Sequence, residues 1–114
     1  MNNQNPIEIY QAQDGTTQVE VRFEKDTVWL SQAQMANVFD TSSDNISLHL
    51  RNIFNEGELD EKAVYSKMEY TATDGKTYDT GFYNLDAIIA VGYRVNSKEA
   101  TQFRIWATNT LREY

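Results

Sequence analysis

The sequence predicts an α+β fold in which an N-terminal antiparallel β-meander is followed by a helix-turn-helix-like pair, a β-hairpin and two C-terminal helices. Two observations predict it. Apolar residues alternate with polar ones over residues 7–30 and again over 63–83, which is the period of half-buried strands. Over residues 31–55 and 84–114 the apolar spacing changes to the period of an amphipathic helix. A chain of 114 residues is long enough for one domain with a core of its own.

Residues 7–30 form the predicted meander. Asp14-Gly15 lies between the first two alternating runs and is a hairpin signal, because such a pair accepts the positive φ angles of a tight turn. A second polar turn at residues 24–26 leads to a third short strand, Thr27–Leu30. Residues 1–6 carry no such pattern, so we expect a disordered tail there and a single domain over residues 7–114.

The helical spacing of apolar residues begins at Ser31. The hydroxyl of Ser31 can cap the free amides of a helix that runs to Phe39. Gln34, three residues on, completes the pattern of a capping box. A second helix is predicted from Ser43 to Asn55, with Gly57 as its C-terminal stop. Its inward face is Ile46, Leu50 and Ile53.

The second half of the chain begins with an acidic connector at residues 58–62 and two strands, 63–71 and 76–83, joined around Asp74-Gly75. Asn84 can cap a third helix, which is apolar on nearly all sides and is therefore predicted to be the most buried one. Ser97 is the predicted cap of the last helix. The predicted core consists of Trp29, Met35, Phe39, Ile46, Leu50, Ile53, Phe54, Leu85, Ile88, Ile89, Phe103, Trp106 and Leu111.

The composition excludes several classes of function. The chain has no cysteine and one histidine, so we expect no disulfides, no metal site and no cofactor. It has no glycine-rich phosphate loop and no nucleophile motif, and we expect no enzymatic activity. The apolar runs are too short to cross a bilayer and the N-terminus does not resemble a signal peptide, so we expect a cytoplasmic protein without membrane contact. Because the last helix stops in mid-pattern at Tyr114, we expect the domain to be a fragment of a longer protein.

Residues Gln32–Asn52 fit a helix-turn-helix, in which the second helix enters the major groove of double-stranded DNA. Ala36 is the small residue that lets the helices approach, and residues 40–42 form the turn. Asparagine matches adenine, arginine matches guanine, serine reaches phosphates or bases, and leucine can touch a thymine methyl group. The candidate DNA-contacting residues of the second helix are Ser43, Asn45, Ser47, Leu48, Arg51 and Asn52.

Arg94 and Lys98 are further candidates, as contacts to DNA phosphates. They fall in residues 83–114, the only part of the chain with a net positive charge. With Arg104 and Arg112 they form either a phosphate track or an ordinary solvated helix surface. An isoleucine, Ile105, is predicted to lie exposed on the same face, which suggests contact with a second subunit or with a further C-terminal region.

Three features favour a different class, a protein-interaction or oligomerisation module without DNA binding. The net charge is −7, which opposes attraction to nucleic acid. The turn has Asp40 where a helix-turn-helix usually has glycine. The second helix carries one cation, Arg51, and an acidic residue, Asp44, near its tip. From local pattern alone, a helical pair that only builds the core is therefore the competing interpretation.

Long segments of the sequence resemble one family of bacterial proteins. They are Trp29–Phe39, Asn45–Leu59, Tyr83–Ser97 and Thr101–Ala107. These segments look like the N-terminal region of the virulence-associated RhuM family, and the similarity extends over residues 7–114. The resemblance implies a DNA-binding regulatory domain in a longer bacterial protein.

A second, more distant similarity is to the Bro-N domain of phage antirepressors. Phe82–Leu85 followed by Ser97–Trp106 resembles the closing helix motif of that domain. Bro-N domains are implicated in DNA binding, so this likeness implies the same class of function. Double-stranded DNA is therefore the expected partner, together with a second copy of the chain or a further C-terminal region.

Overall fold

The computed structural model describes residues 7–12, 15, 17–71 and 74–113, with the backbone alone at Tyr70. Its strands form one antiparallel sheet in the order β1-β2-β3-β5-β4. They are β1 (Ile7–Gln11), β2 (Gln18–Glu24), β3 (Thr27–Leu30), β4 (Tyr65–Thr71) and β5 (Thr77–Asn84). The predicted α+β class is confirmed, and the tail predicted at residues 1–6 lies outside the described residues.

The helices are α1 (Gln32–Phe39), α2 (Ser43–Asn55), α3 (Glu61–Val64), α4 (Leu85–Val95) and α5 (Ser97–Glu113). The single turn α3 replaces the end of the predicted acidic connector and the start of the predicted strand. Asp60 begins this turn, because its Oδ1 accepts a hydrogen bond of 3.1 Å from the Lys62 amide. Four residues are too few to show a helical period, which is why the sequence pattern did not indicate this helix.

The predicted ends of α1 and α2 are confirmed. Ser31 and Gln34 form the capping box, with hydrogen bonds of 2.8 and 3.2 Å. Ser42 caps α2 by accepting from the Asn45 amide at 3.0 Å. Gly57 follows the last turn with a φ of 77°. Its amide donates to the Phe54 carbonyl, and the Glu58 amide donates to the Ile53 carbonyl. Glycine is favoured in that left-handed conformation.

The cap of α5 differs from the prediction. Asn96, and not Ser97, accepts from the Glu99 amide through Oδ1 at 3.3 Å. The backbone amide of Asn96 also donates to the Gly92 carbonyl at 2.8 Å, so this one residue ends α4 and begins α5. A one-residue link fixes the two helices close together.

The main core lies between the sheet and the helices. Of the predicted core residues, Met35, Phe39, Ile46, Leu50, Ile53, Ile88 and Phe103 are buried in it. Others are only partly buried at its margin: Phe54, Leu85, Ile89, Trp106 and Leu111. Val21, Val28 and Leu30 of the meander are fully buried, although the prediction omitted them.

Trp29 belongs to a second, smaller cluster and not to the main core. It is buried with Met68 and Phe82, which connects the meander to the β4–β5 hairpin. Arg22 covers this cluster, because its guanidinium lies 5.6 Å from the centre of the Phe82 ring. The same side chain donates to the carbonyl oxygen of Glu69 at 2.6 Å, and the hairpin is thereby fastened to β2.

Gly92 is the point of closest approach among three helices. A Cβ atom at this position would lie 2.7 Å from the Ala100 Cβ of α5 and 2.7 Å from the Phe39 Cζ of α1. Real Cβ atoms do not approach neighbours that closely, so only glycine fits. The glycine in the middle of α4 is therefore a packing requirement.

The turn between α1 and α2 depends on a left-handed residue. Asp40 has a φ of 56° and a ψ of 55°, and its amide donates to the Ala36 carbonyl. The next amide, of Thr41, donates to the same carbonyl at 2.9 Å. Glycine adopts this conformation at no steric cost, and aspartate is among the few other residues that tolerate it. Asp40 thus takes the place of the usual turn glycine.

We predict that Gly92→Ala destabilises the fold. Alanine at an exposed position inside a helix stabilises by about 1 kcal/mol relative to glycine. Here overpacking against Ala100 and Phe39 costs about 1–3 kcal/mol, so the free energy of unfolding falls. Urea unfolding of this variant and of the double variant with Ala100→Gly measures both effects. The free energy of unfolding of the double variant should fall by less than the sum of the two single losses. A stabilising effect of Gly92→Ala would contradict the close contact.

We also predict that Asp40→Gly stabilises the domain by about 0.5–1 kcal/mol, because it relieves the left-handed strain at slight entropic cost. Asp40→Val, with a β-branched side chain at positive φ, lowers the free energy of unfolding. Asp40→Asn is the matched control, since asparagine tolerates the conformation and removes only the charge. A loss of stability in Asp40→Gly would show that the turn depends on the aspartate side chain.

Candidate nucleic-acid interface

Helix α2 presents its two sides very differently. Ile46, Leu50 and Ile53 are at most 2% exposed and pack against the rest of the core. Leu48 on the opposite side is 44% exposed. Arg51 is exposed beside it. The outward side of α2 predicted from the sequence is therefore the side that faces solvent.

The candidate residues of α2 divide between two flanks of Leu48. Asn45 and Asn52 are half-buried on one flank. Ser47 and Arg51 lie on the other flank, at least about 100° around the helix from the two asparagines. Asn45 is held in place, because its Nδ2 donates to the Thr41 hydroxyl in the turn at 2.9 Å. The structure thus brings the two asparagines to one margin of the exposed surface and Arg51 to the other.

Arg51 lies at a cleft that the sequence did not indicate. The cleft has a volume of about 220 Å³ and is lined by Gln32, Ser47, Leu50, Arg51, Phe54, Asn55, Glu61 and Tyr83. Gln32 donates to the Tyr83 hydroxyl at 3.5 Å, and the Phe54 ring stacks on the Tyr83 ring with centroids 6.4 Å apart. Burial raises the pKa of Tyr83, so its hydroxyl stays protonated at neutral pH. The carboxylate of Glu61 at the same cleft opposes an anionic ligand there.

Arg94 is occupied by carboxylates. Its Nη2 contacts Oε1 of Glu56 at 2.7 Å and Oε1 of Glu58 at 2.8 Å, and these hydrogen bonds raise its pKa above the ordinary value. Glu56 follows directly on the last residue of α2, and Glu58 lies two residues further on. Arg94 therefore ties α4 to the end of α2, and a phosphate contact requires it to exchange these partners.

Lys98 differs from Arg94 in its surroundings. It is exposed in the first turn of α5, and no carboxylate lies within 4 Å of it in the part of the chain that the structure describes. Arg94 lies in the last turn of α4 and Lys98 in the first turn of α5, on either side of the helix break at Asn96. Of the two predicted phosphate contacts, Arg94 is thus held by carboxylates, whereas Lys98 is exposed.

The charge around α2 is negative. Residues 31–57 contain one basic residue, Arg51, and three acidic ones, Asp40, Asp44 and Glu56. Asp44 is exposed in the first turn of α2, where the amide ends of a helix stabilise a carboxylate. The same position is where a recognition helix meets DNA, so Asp44 opposes close approach of a phosphate.

Other classes of site have little support among residues 7–12, 15, 17–71 and 74–113. No group of three metal-ligating side chains occurs in these ranges. No helix within them is long and apolar enough to cross a membrane. His49, the one histidine, is half-buried on α2, and its Nδ1 has no hydrogen-bond partner among the described groups.

Comparison with known proteins gives one match, to part of the chain. No curated protein and no solved structure matches it. The C-terminal half, from α3 through the hairpin and the last two helices, does match a family model. Residues 63–114 match the model of the Virulence protein RhuM family, which is the family that the motifs of the sequence resemble.

Proposed function

We propose that this domain binds double-stranded DNA through α1, the turn and α2, with α2 as the helix that enters the major groove. One observation carries the proposal. The three-residue turn with left-handed Asp40 joins two helices whose shared face is buried, so that Leu48 and Arg51 stay exposed. Helix-turn-helix proteins present their second helix in this way. The resemblance to a family described as DNA-binding supports the same conclusion.

The side chains of α2 have separate roles in this proposal. Arg51 donates two hydrogen bonds to a guanine edge, and Leu48 packs on a thymine methyl group. Asn45 and Asn52 recognise adenine from the other flank. Ser43 and Ser47, near the N-terminal end of the helix, donate to backbone phosphates. Among these groups, as far as the structure describes them, it is the Asn45 side chain that has a hydrogen-bond partner, the Thr41 hydroxyl.

The charge balance sets a condition on binding. Each neutralised phosphate releases counterions and adds affinity, but α2 offers one cation and the chain carries −7 overall. A single domain therefore binds weakly, and useful affinity requires two copies on two half-sites or contacts from elsewhere in the protein. Lys98 is accessible for such a phosphate contact, whereas Arg94 first has to leave Glu56 and Glu58.

A protein-interaction module is the second candidate function. It is favoured by a specific observation, the 48% exposure of Ile105 among the cations of α5. Isolated exposed isoleucines are common, but one inside a charged helical face is typical of a surface that binds protein. The two functions are compatible, because α2 and α5 carry different surfaces.

We predict that Arg51→Ala weakens binding to a preferred duplex by about 1–3 kcal/mol, because a bidentate guanine contact is lost. Asp44→Lys increases the affinity for random duplexes and steepens the salt dependence of binding, since a carboxylate that the DNA phosphates repel is replaced by an ammonium group that they attract. The measurement is fluorescence anisotropy with a duplex selected from a randomised pool and with a random duplex, at two salt concentrations.

Lys67→Ala is the matched control, because Lys67 is an exposed cation on the β4–β5 hairpin, away from α2. It should leave both affinities close to those of the unaltered chain. If no duplex binds at low salt, or if Arg51→Ala behaves like Lys67→Ala, α2 is not a DNA-reading helix.

A further inference from the structure

One exposed face of α5 combines positive charge with an apolar centre. Lys98, Ile105 and Arg112 are spaced by seven residues, so they lie within about 20° of one line along the helix. All three are exposed, and Ile105 is 48% exposed. The two cations lie about 10 Å before and after the isoleucine. We call this surface the α5 outer face.

No carboxylate of α5 neutralises this face. Glu99 lies about 120° around the helix, and its Oε1 is buried. Glu113 lies about 80° away in the last turn. Lys98 and Arg112 make no ion pair within 4 Å among the described residues. In a chain of net charge −7, the α5 outer face is thus a local reversal of sign.

Tyr93 of α4 borders the face on one side. It is 46% exposed, and its hydroxyl accepts a hydrogen bond of 3.5 Å from the Thr101 hydroxyl. The hydrogen bond from Thr101, and after it the neighbouring Arg104, lower the pKa of Tyr93, so the Arg104 guanidinium adds to the positive margin. Thr101 lies one helical turn before Ile105, so Tyr93 and Ile105 are exposed apolar side chains at neighbouring positions, between cations.

A second copy of this chain does not fit the α5 outer face through the same surface. A two-fold axis at Ile105 would place two antiparallel α5 helices together, as isologous contacts require. Lys98 lies seven residues before Ile105 and Arg112 seven after it, so each lysine would then face the arginine of the other copy. Like charges opposite each other oppose association, and the partner must instead be acidic.

A phosphate backbone is a poorer match than a protein. Phosphates attract the cations, but they gain nothing from covering Ile105 and Tyr93, which together are the apolar centre of the face. A protein helix can bury these side chains and pair both cations at once. The spacing of seven residues is also the repeat at which two packed helices meet.

We infer that the α5 outer face binds an acidic helical segment of another protein, with an apolar residue flanked by carboxylates one heptad before and after it. The apolar residue packs on Ile105 beside Tyr93, and the carboxylates contact Lys98 and Arg112. The surface is small, so the complex is weak and transient. This inference is independent of DNA binding by α2.

The test uses a synthetic 21-residue helical peptide with a central leucine and glutamates seven residues on either side. It is titrated into the ¹⁵N-labelled chain, and amide chemical shifts are followed. The expected shifts lie at Lys98, Thr101, Ile105 and Arg112. Lys98→Glu with Arg112→Glu weakens binding about tenfold or more, because two attractions become repulsions. Ile105→Ser weakens it without any change of charge.

Two controls separate this site from general charge attraction. Lys67→Glu with Lys76→Glu makes the same charge change on the exposed hairpin and should leave binding within about twofold. A peptide with lysines in place of the glutamates should not bind. The inference is overturned if the acidic peptide causes no shifts on α5, or if both charge reversals weaken binding equally. It is also overturned if a short duplex DNA shifts these amides while the peptide does not.

Discussion

The contact of Gly92 with Phe39 and Ala100 is the constraint on which the rest of the helical layer depends. It brings α4 against α5 and α1 at a distance that no larger residue allows. The one-residue link at Asn96 is possible because the two helices are already so close there. With α4 fixed, α2 packs on α1 and α4, and Arg94 ties the end of α2 back to α4. The directions of the two exposed faces follow from this packing.

Net charge is a poor guide to what each face can bind. The chain carries −7, yet its charged groups are distributed unevenly over the structure. Around α2 the carboxylates outnumber the single cation, Arg51. There it is the shape of the helix and its hydrogen-bonding side chains, and not its charge, that favour the groove of DNA. On α5, Lys98 and Arg112 form no ion pair with the carboxylates that the structure describes, and they flank an exposed isoleucine. Local charge and apolar area, and not their totals, distinguish the two proposed partners.

The sequence predicted what depends on neighbours along the chain, and it could not predict what depends on distant contacts. The capping box at Ser31 and the inward face of α2 followed from local spacing. The placement of Tyr83 beside Arg51, and the ion pairs of Arg94 with Glu56 and Glu58, join segments more than 30 residues apart. A glycine in an apolar helix signals a possible close contact but not its partners.

The most direct measurement is the map of amide chemical shifts when duplex DNA is added to the ¹⁵N-labelled chain at low salt. We expect shifts concentrated in residues 43–52, strongest near Leu48 and Arg51, with Ile105 and Arg112 of α5 unaffected. Residues of the β4–β5 hairpin, which carry their own lysines, provide the comparison within the same spectra. Shifts confined to α5 or to the hairpin, with none on α2, would contradict the assignment of α2 as the DNA-binding helix.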